Sequence, residues 1–150
     1  MISVVVGRVA GDHVEIDVGG WEHPGTNDFD DGNWLMTRVG IRARGFSGRY
    51  AASLRAEEFV DFLDAVRRLS ETLDGEAVFT TMEEQLRVAI RRVGSLGGLE
   101  VVGVALDAAG WGNRLVFKLA EFDQSDLPPL VAQLEALVEA FPVIGRDSTA

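Results

Sequence analysis

Two stretches of the chain place apolar residues at helical spacing. Within 54–73, LRAEEFVDFLDAVRRLSETL, residues Phe59, Phe62, Leu63, Val66, Leu69 and Leu73 follow the i, i+3, i+4, i+7 pattern. Glu57, Glu58, Asp61 and Asp64 crowd the first turns, where the helix dipole favours negative charge. The spacing predicts a helix over about 55–73. In SDLPPLVAQLEALVEAFP, Ser125 or Asp126 can cap and Pro128 and Pro129 suit a first turn. Leu130, Leu134, Leu137, Val138 and Phe141 then form a stripe that Pro142 stops, predicting a second helix over about 127–141.

Elsewhere the period is two. HVEIDV at 13–18 alternates strictly, and 33–43, 46–53, 76–81, 85–93, 98–107 and 113–120 are rich in Val, Ile, Leu and aromatics between Gly-containing turns. Gly97-Gly98 and the stretch from Gly110 to Asn113 read as hairpin turns. Strands, helix, strands, helix is the order of an α+β domain: a mostly antiparallel sheet of six to eight strands with two helices packed on one face. Residues 1–150 read as one such domain, with 145–150 as a frayed tail.

The alternation also assigns faces. In 33–43 one parity carries Leu35, Val39 and Ile41 and the other Trp34, Met36, Arg38 and Arg42; in 86–91 Leu86, Val88 and Ile90 oppose Arg87, Ala89 and Arg91. A single open face is therefore expected to gather Arg38, Arg42, Arg87, Arg91, Arg114 and Lys118, interleaved with Glu15, Asp17 and Glu100. Its ordinary role is a solvated surface with weak cross-strand ion pairs. Its functional alternative is a small-molecule or carbohydrate-binding module, with Arg38, Arg42, Arg87 and Arg91 facing an anionic ligand.

Charge narrows the partners. The chain carries 24 Asp and Glu against 14 Lys and Arg, a net charge of -10, which repels nucleic acid and anionic lipid and attracts basic proteins. The distribution is blocked: residues 1–32 hold seven acids and one Arg, whereas 33–56 hold Arg38, Arg42, Arg44, Arg49 and Arg55 and no acid. Zero cysteines exclude disulfides, thiolate catalysis and Cys-based metal sites. The N-terminus lacks the basic start and apolar run of a signal peptide, and no stretch reaches the ~18 apolar residues of a membrane span. A cytoplasmic protein without membrane contact is expected.

The stretch NDFDDGNW at 27–34 invites a metal reading. With Gly32 at position 6 of an EF-hand loop, Phe29 falls at position 3 and Arg38 at position 12, where oxygen ligands are required. A looser cation site of Asp28, Asp30 and Asp31 is the remaining metal alternative to a solvated acidic turn; no metal or other cofactor is assigned. Catalysis has little to stand on. The histidines His13 and His23 fall in a strand and a loop, no G-x-S-x-G elbow occurs, and GGWEHPG and GSLGG lack the Lys and setting of a phosphate loop. Among the aromatics, Trp21 is expected in a loop and Trp111 at a hairpin tip, where either could anchor a partner or fold back over its own sheet. Trp34 is expected to be structural.

The acidic loop ending in GNWL at 32–35, GFSGRY at 45–50, the helix start from Leu54 to Val66, GEAVFTTMEEQLRVAI at 75–90, and NRLVFKLAEFDQSDLPPL followed by a helix ending in FP resemble the WapI-type immunity proteins of bacterial polymorphic and contact-dependent toxin systems. The likeness covers roughly 27–142 and leaves the first 26 residues outside. It implies a small cytoplasmic α+β protein without enzyme activity that binds a cognate toxin domain, often a nuclease. An acidic inhibitor suits a basic toxin. On that footing Asp12, Glu22, Asp28, Asp30 and Asp31 are the candidate steering carboxylates, and Trp21 or Trp111 the candidate anchor.

Overall fold

The computed structural model describes residues 1–95 and 98–148. Its strands are β1 (Ile2–Gly7), β2 (His13–Trp21), β3 (Trp34–Ala43), β4 (Phe46–Arg55), β5 (Glu76–Phe79), β6 (Leu86–Val93), β7 (Gly98–Leu106) and β8 (Arg114–Leu119). The helices are α1 (Phe29–Gly32), α2 (Ala56–Thr72) and α3 (Leu127–Ala140), the last entered through a 3-10 turn at Gln124–Asp126. The α+β class with antiparallel strands and two long helices is thus what the chain forms. Gly98 opens β7, while Gly97 of the expected turn lies outside the described residues.

The strands divide into two four-stranded antiparallel sheets, β1-β2-β3-β4 and β5-β6-β7-β8. Both helices bury the expected stripes: Phe59, Phe62, Leu63, Val66 and Leu69 from α2, and Leu127, Leu130, Leu134 and Leu137 from α3. These meet Val4, Val6, Val14, Ile16, Leu35 and Val39 of the first sheet and Phe79, Leu86, Val88, Ile90 and Val101 of the second in one hydrophobic cluster. Phe79 stacks obliquely on Phe59 and Phe62, with ring centroids 5.1 and 5.2 Å apart.

A helix also closes an edge. α3 packs on β1 and α2 on β5, and the Val5 N–H of edge strand β1 donates to Gln133 Oε1 of α3 at 2.7 Å. Open strand edges are sites of unwanted pairing, and α3 covers that of β1. β1 had not been expected from sequence. Its Val5 lies on the outward parity, opposite Glu15, and is half-buried.

Three differences bear on function. Trp21 is the last residue of β2 rather than a loop residue, half-buried with its ring edge-on to Phe141 at 5.3 Å. Residues 29–32 form a short helix where only a loop was expected. The face expected to gather six basic side chains is divided, since Arg38 and Arg42 lie on β3 of the first sheet and Arg87, Arg91, Arg114 and Lys118 on β6 and β8 of the second.

Candidate functional site

The acidic loop at 27–34 is built around one arginine. Arg55, the last residue of β4, is 2% exposed. Its Nη1 and Nη2 donate to the carbonyls of Asp30 and Phe29 at 2.8 and 2.7 Å, and its Nε donates to Glu57 Oε2 at 2.6 Å. The guanidinium lies over the rings of Trp34 and Phe29, 4.7 and 5.1 Å from their centroids. A planar fork of five donors suits this mixed task, binding carbonyls at its rim and aromatics at its faces. Glu57 Oε1 is buried with no hydrogen-bond partner among the described residues.

The loop has two further ties. Asp28 caps α1 by accepting from Asp31 N at 2.8 Å. Buried Asn33 donates from Nδ2 to the carbonyls of Phe29 and Ile144, both at 2.9 Å, and accepts from Ile144 N at 2.8 Å, which docks the segment after α3 onto the loop. Gly32 is required there: a Cβ would meet the Thr26 carbonyl at 2.7 Å and Ile144 at 3.0 Å. The result is a fixed backbone from which the side chains of Asp28, Asp30 and Asp31 face solvent. Among the described residues no group of three His, Cys, Asp or Glu side chains is arranged to hold a metal ion.

The other expected contact residues are placed elsewhere. Asp12 precedes β2 and the acidic loop follows it, so the nine residues of β2 hold them about 30 Å apart at ~3.3 Å per residue. Both Asp12 oxygens are occupied, accepting from Arg44 N and Ala120 N at 2.9 Å each, and these bonds hold its carboxyl below the usual range. Asp12 ties the β1–β2 and β3–β4 turns to the end of β8. Glu22 accepts from the Ser53 hydroxyl at 2.5 Å beside the outer face of the first sheet. Trp111 is 83% exposed in the β7–β8 connection, where Asp107 clasps Asn113 through N and Nδ2 at 2.7 and 3.1 Å.

The basic residues also part company. Arg91 pairs with Glu100 at 2.6 Å, which lowers the Glu100 carboxyl, and Lys118 pairs with the same residue at 3.6 Å. Arg38, Arg42, Arg44 and Arg49, all carried by the β3–β4 hairpin, make no ion pair among the described residues. A broad open concavity of about 660 Å³ lies on this outer face, lined by Asp17, Gly19, Met36, Arg38, Arg49 and Ala51 among others. A smaller one of about 340 Å³ lies at the start of α2. There Glu58 accepts from Arg55 N at 2.7 Å and Met82 N at 2.6 Å, and burial pushes its carboxyl up to about 7.

Sequence reasoning missed Arg55 for a definable reason. Parity along β4 puts it with Arg49, Ala51 and Ser53 on the outer face, and only the folding of α1 over that face buries it. The description "Immunity protein WapI-like family" belongs to a family model that matches residues 7–142. No curated protein matches the chain. The match takes in β2 and residues 7–26, which lay outside the motifs read from sequence, and the chain belongs to the WapI-like immunity protein family.

Proposed function

We propose that this member of an immunity family neutralises a basic toxin domain by binding alone, as one α+β domain in the cytoplasm of the cell that makes it. Family membership supplies the toxin-neutralising role. The observation that carries the finer reading is the acidic loop, whose backbone is clasped by Arg55 and Asn33 while Asp28, Asp30 and Asp31 stay exposed. Carboxylates on a fixed frame present a persistent field to a cationic partner, and with a net charge of -10 behind them they speed encounter. A toxin that cuts nucleic acid is basic about its substrate groove, and such a groove is the surface this loop suits. Trp111, exposed at its hairpin, offers an apolar anchor of large area and few rotamers.

Co-expression with any toxin domain encoded beside this gene tests the reading. Growth should be restored, and the purified pair should bind stoichiometrically. Asn replacements at 28, 30 and 31 keep the cap at 28, because Asn caps as well as Asp. They should slow association by about tenfold at low salt and flatten its salt dependence. Unaltered association removes the loop from the interface.

A further inference from the structure

The first sheet has one edge left partly open, and the chain itself shows what that edge can bind. Beyond β4, the Gln85 side-chain amide accepts from Ser53 N at 3.3 Å and donates to the Ala51 carbonyl at 3.4 Å. These bonds fix the parity of the strand: its odd residues turn their N–H and C=O groups away from β3, so Ser47 and Arg49 do the same. Nothing among the described residues meets those groups at 47 and 49. Gln85 is in effect a one-residue strand laid on this edge, and the edge continues past it unoccupied. Phe46 to Arg49 are all exposed, whereas the edge of β1, the other end of this sheet, is bonded to α3 through Gln133.

The side chains around the opening specify the occupant. The register places Ser47 beside Arg42, Arg49 beside Gly40 and Ala51 beside Arg38. Small residues at 47 and 51 leave Arg42 and Arg38 within reach of a strand laid outside them. The Arg49 guanidinium lies over Gly40, about 3.7–3.9 Å from where a Cβ would be. On the other parity Phe46 is 67% exposed and Gly48 is open, an apolar strip for side chains of the opposite face. On the outer face Arg38, Arg42 and Arg49 stand against Asp17, opposite Arg38, and Glu15, which feels Arg49, with no ion pair formed by these arginines among the described residues; the face keeps an excess of positive charge within a chain of net charge -10. Two copies joined through this edge would set arginine against arginine, a recognised way of guarding an edge against self-pairing.

We propose that the Phe46–Ala51 edge of β4 takes up an extended segment of the cognate toxin as an added strand, with carboxylates on the Arg38–Arg42–Arg49 face and apolar residues over Phe46. The inference rests on the immunity reading and names a second contact, chemically opposite to the acidic loop. Backbone bonds supply the affinity and alternate side chains the specificity.

The test uses the full chain and a toxin domain that it neutralises on co-expression. Ser47→Pro removes an outward N–H without touching the bonds to β3, as proline does on an edge strand. The paired replacement Arg42→Glu with Arg49→Glu inverts the charge and leaves the backbone as it is. Each should weaken binding tenfold or more with the melting temperature little changed, and the Ser47 and Arg49 amides should exchange more slowly in the complex. Affinity within twofold of the parent for both variants, or amides that exchange as fast when bound, overturns the added strand and leaves the immunity reading standing. A chain that sediments as a dimer and becomes monomeric on Ser47→Pro shows the occupant to be a second copy and overturns it too. If no toxin is neutralised, the immunity reading fails and this inference falls with it.

Discussion

The acidic loop and the open half of β4 display opposite charges on opposite kinds of backbone. In the loop, the Phe29 and Asp30 carbonyls and the Asp31 and Gly32 amides are bound within the chain, and carboxylates are what it displays to a partner. Along β4, Ser47 and Arg49 offer main-chain groups as well as charge. A surface of the first kind steers a partner through its field, while one of the second kind can hold it through directional bonds. Steering is screened by salt and contributes to association; a ladder of backbone bonds governs dissociation. The contrast predicts that the two regions divide the kinetics between them and differ sharply in what they contribute to folding.

The largest effect should come from breaking the frame of the loop. Arg55→Ala removes the donor to the Asp30 carbonyl, leaves the Phe29 carbonyl to Asn33 alone, and takes from Glu57 the one ion-pair partner it has among the described residues, in a site where the arginine is 2% exposed. Removing one member of a buried charged pair costs about 3–5 kcal/mol, to be read from urea unfolding. Arg55→Lys should recover only part of this, because an ammonium cannot reach two carbonyls and a carboxylate while lying between two rings. If the loop is a passive tail, both variants will unfold with the parent.

Next in size is a pH effect at the same junction. Glu58 is raised to about 7 by burial, from an ordinary value near 4.5. A carboxyl whose folded value is raised favours folding in its protonated form. Its contribution is complete below about 4.5, declines as pH rises, and is gone above about 7. At ~1.4 kcal/mol per unit the loss is on the order of 3 kcal/mol. Stability measured between pH 4.5 and 8 should therefore fall for the parent and stay flatter for Glu58→Gln. Parallel profiles would show that the two backbone amides bound by Glu58 outweigh its burial.

How much of this could be read from the sequence follows the same division between pattern and closure. Both long helices were legible within a residue or two at each end, because the stripes from Phe59 to Leu69 and from Leu130 to Leu137 answer only to the helical period. The outward parity of Arg38 and Arg42 was legible as well, since β3 alternates without interruption. What could not be read is how the strands part. Period two gives the faces of a strand and says nothing of its neighbours, so Arg38 and Arg87 looked like members of one surface although two sheets carry them. Trp21 was misplaced, and Arg55 passed over, for a related reason. Each is buried by a segment distant in sequence, Trp21 by Phe141 and Arg55 by α1. The WapI likeness was legible in GNWL, GFSGRY and the α2 sequence, and the family match extends it to residue 7.

The smallest expected effect is the most discriminating. Among the described residues neither the exposed carboxylates at 30 and 31 nor the hairpin arginines at 42 and 49 make an ion pair, so their replacement should move stability by no more than about 0.5 kcal/mol. Trp111→Ala belongs with them, since a side chain 83% exposed contributes little burial. Amide exchange sharpens the comparison without mutation. Gly32 N is bonded to the Asp28 carbonyl at 2.9 Å and Asp31 N to the Asp28 carboxylate, so the acidic loop should be protected. The Ser47 and Arg49 amides should exchange among the fastest of any strand, though both lie inside a ten-residue strand with full register to β3. Equal protection in the two regions would mean that the β4 edge is already covered in solution, and the distinction between a surface that steers and one that holds would collapse.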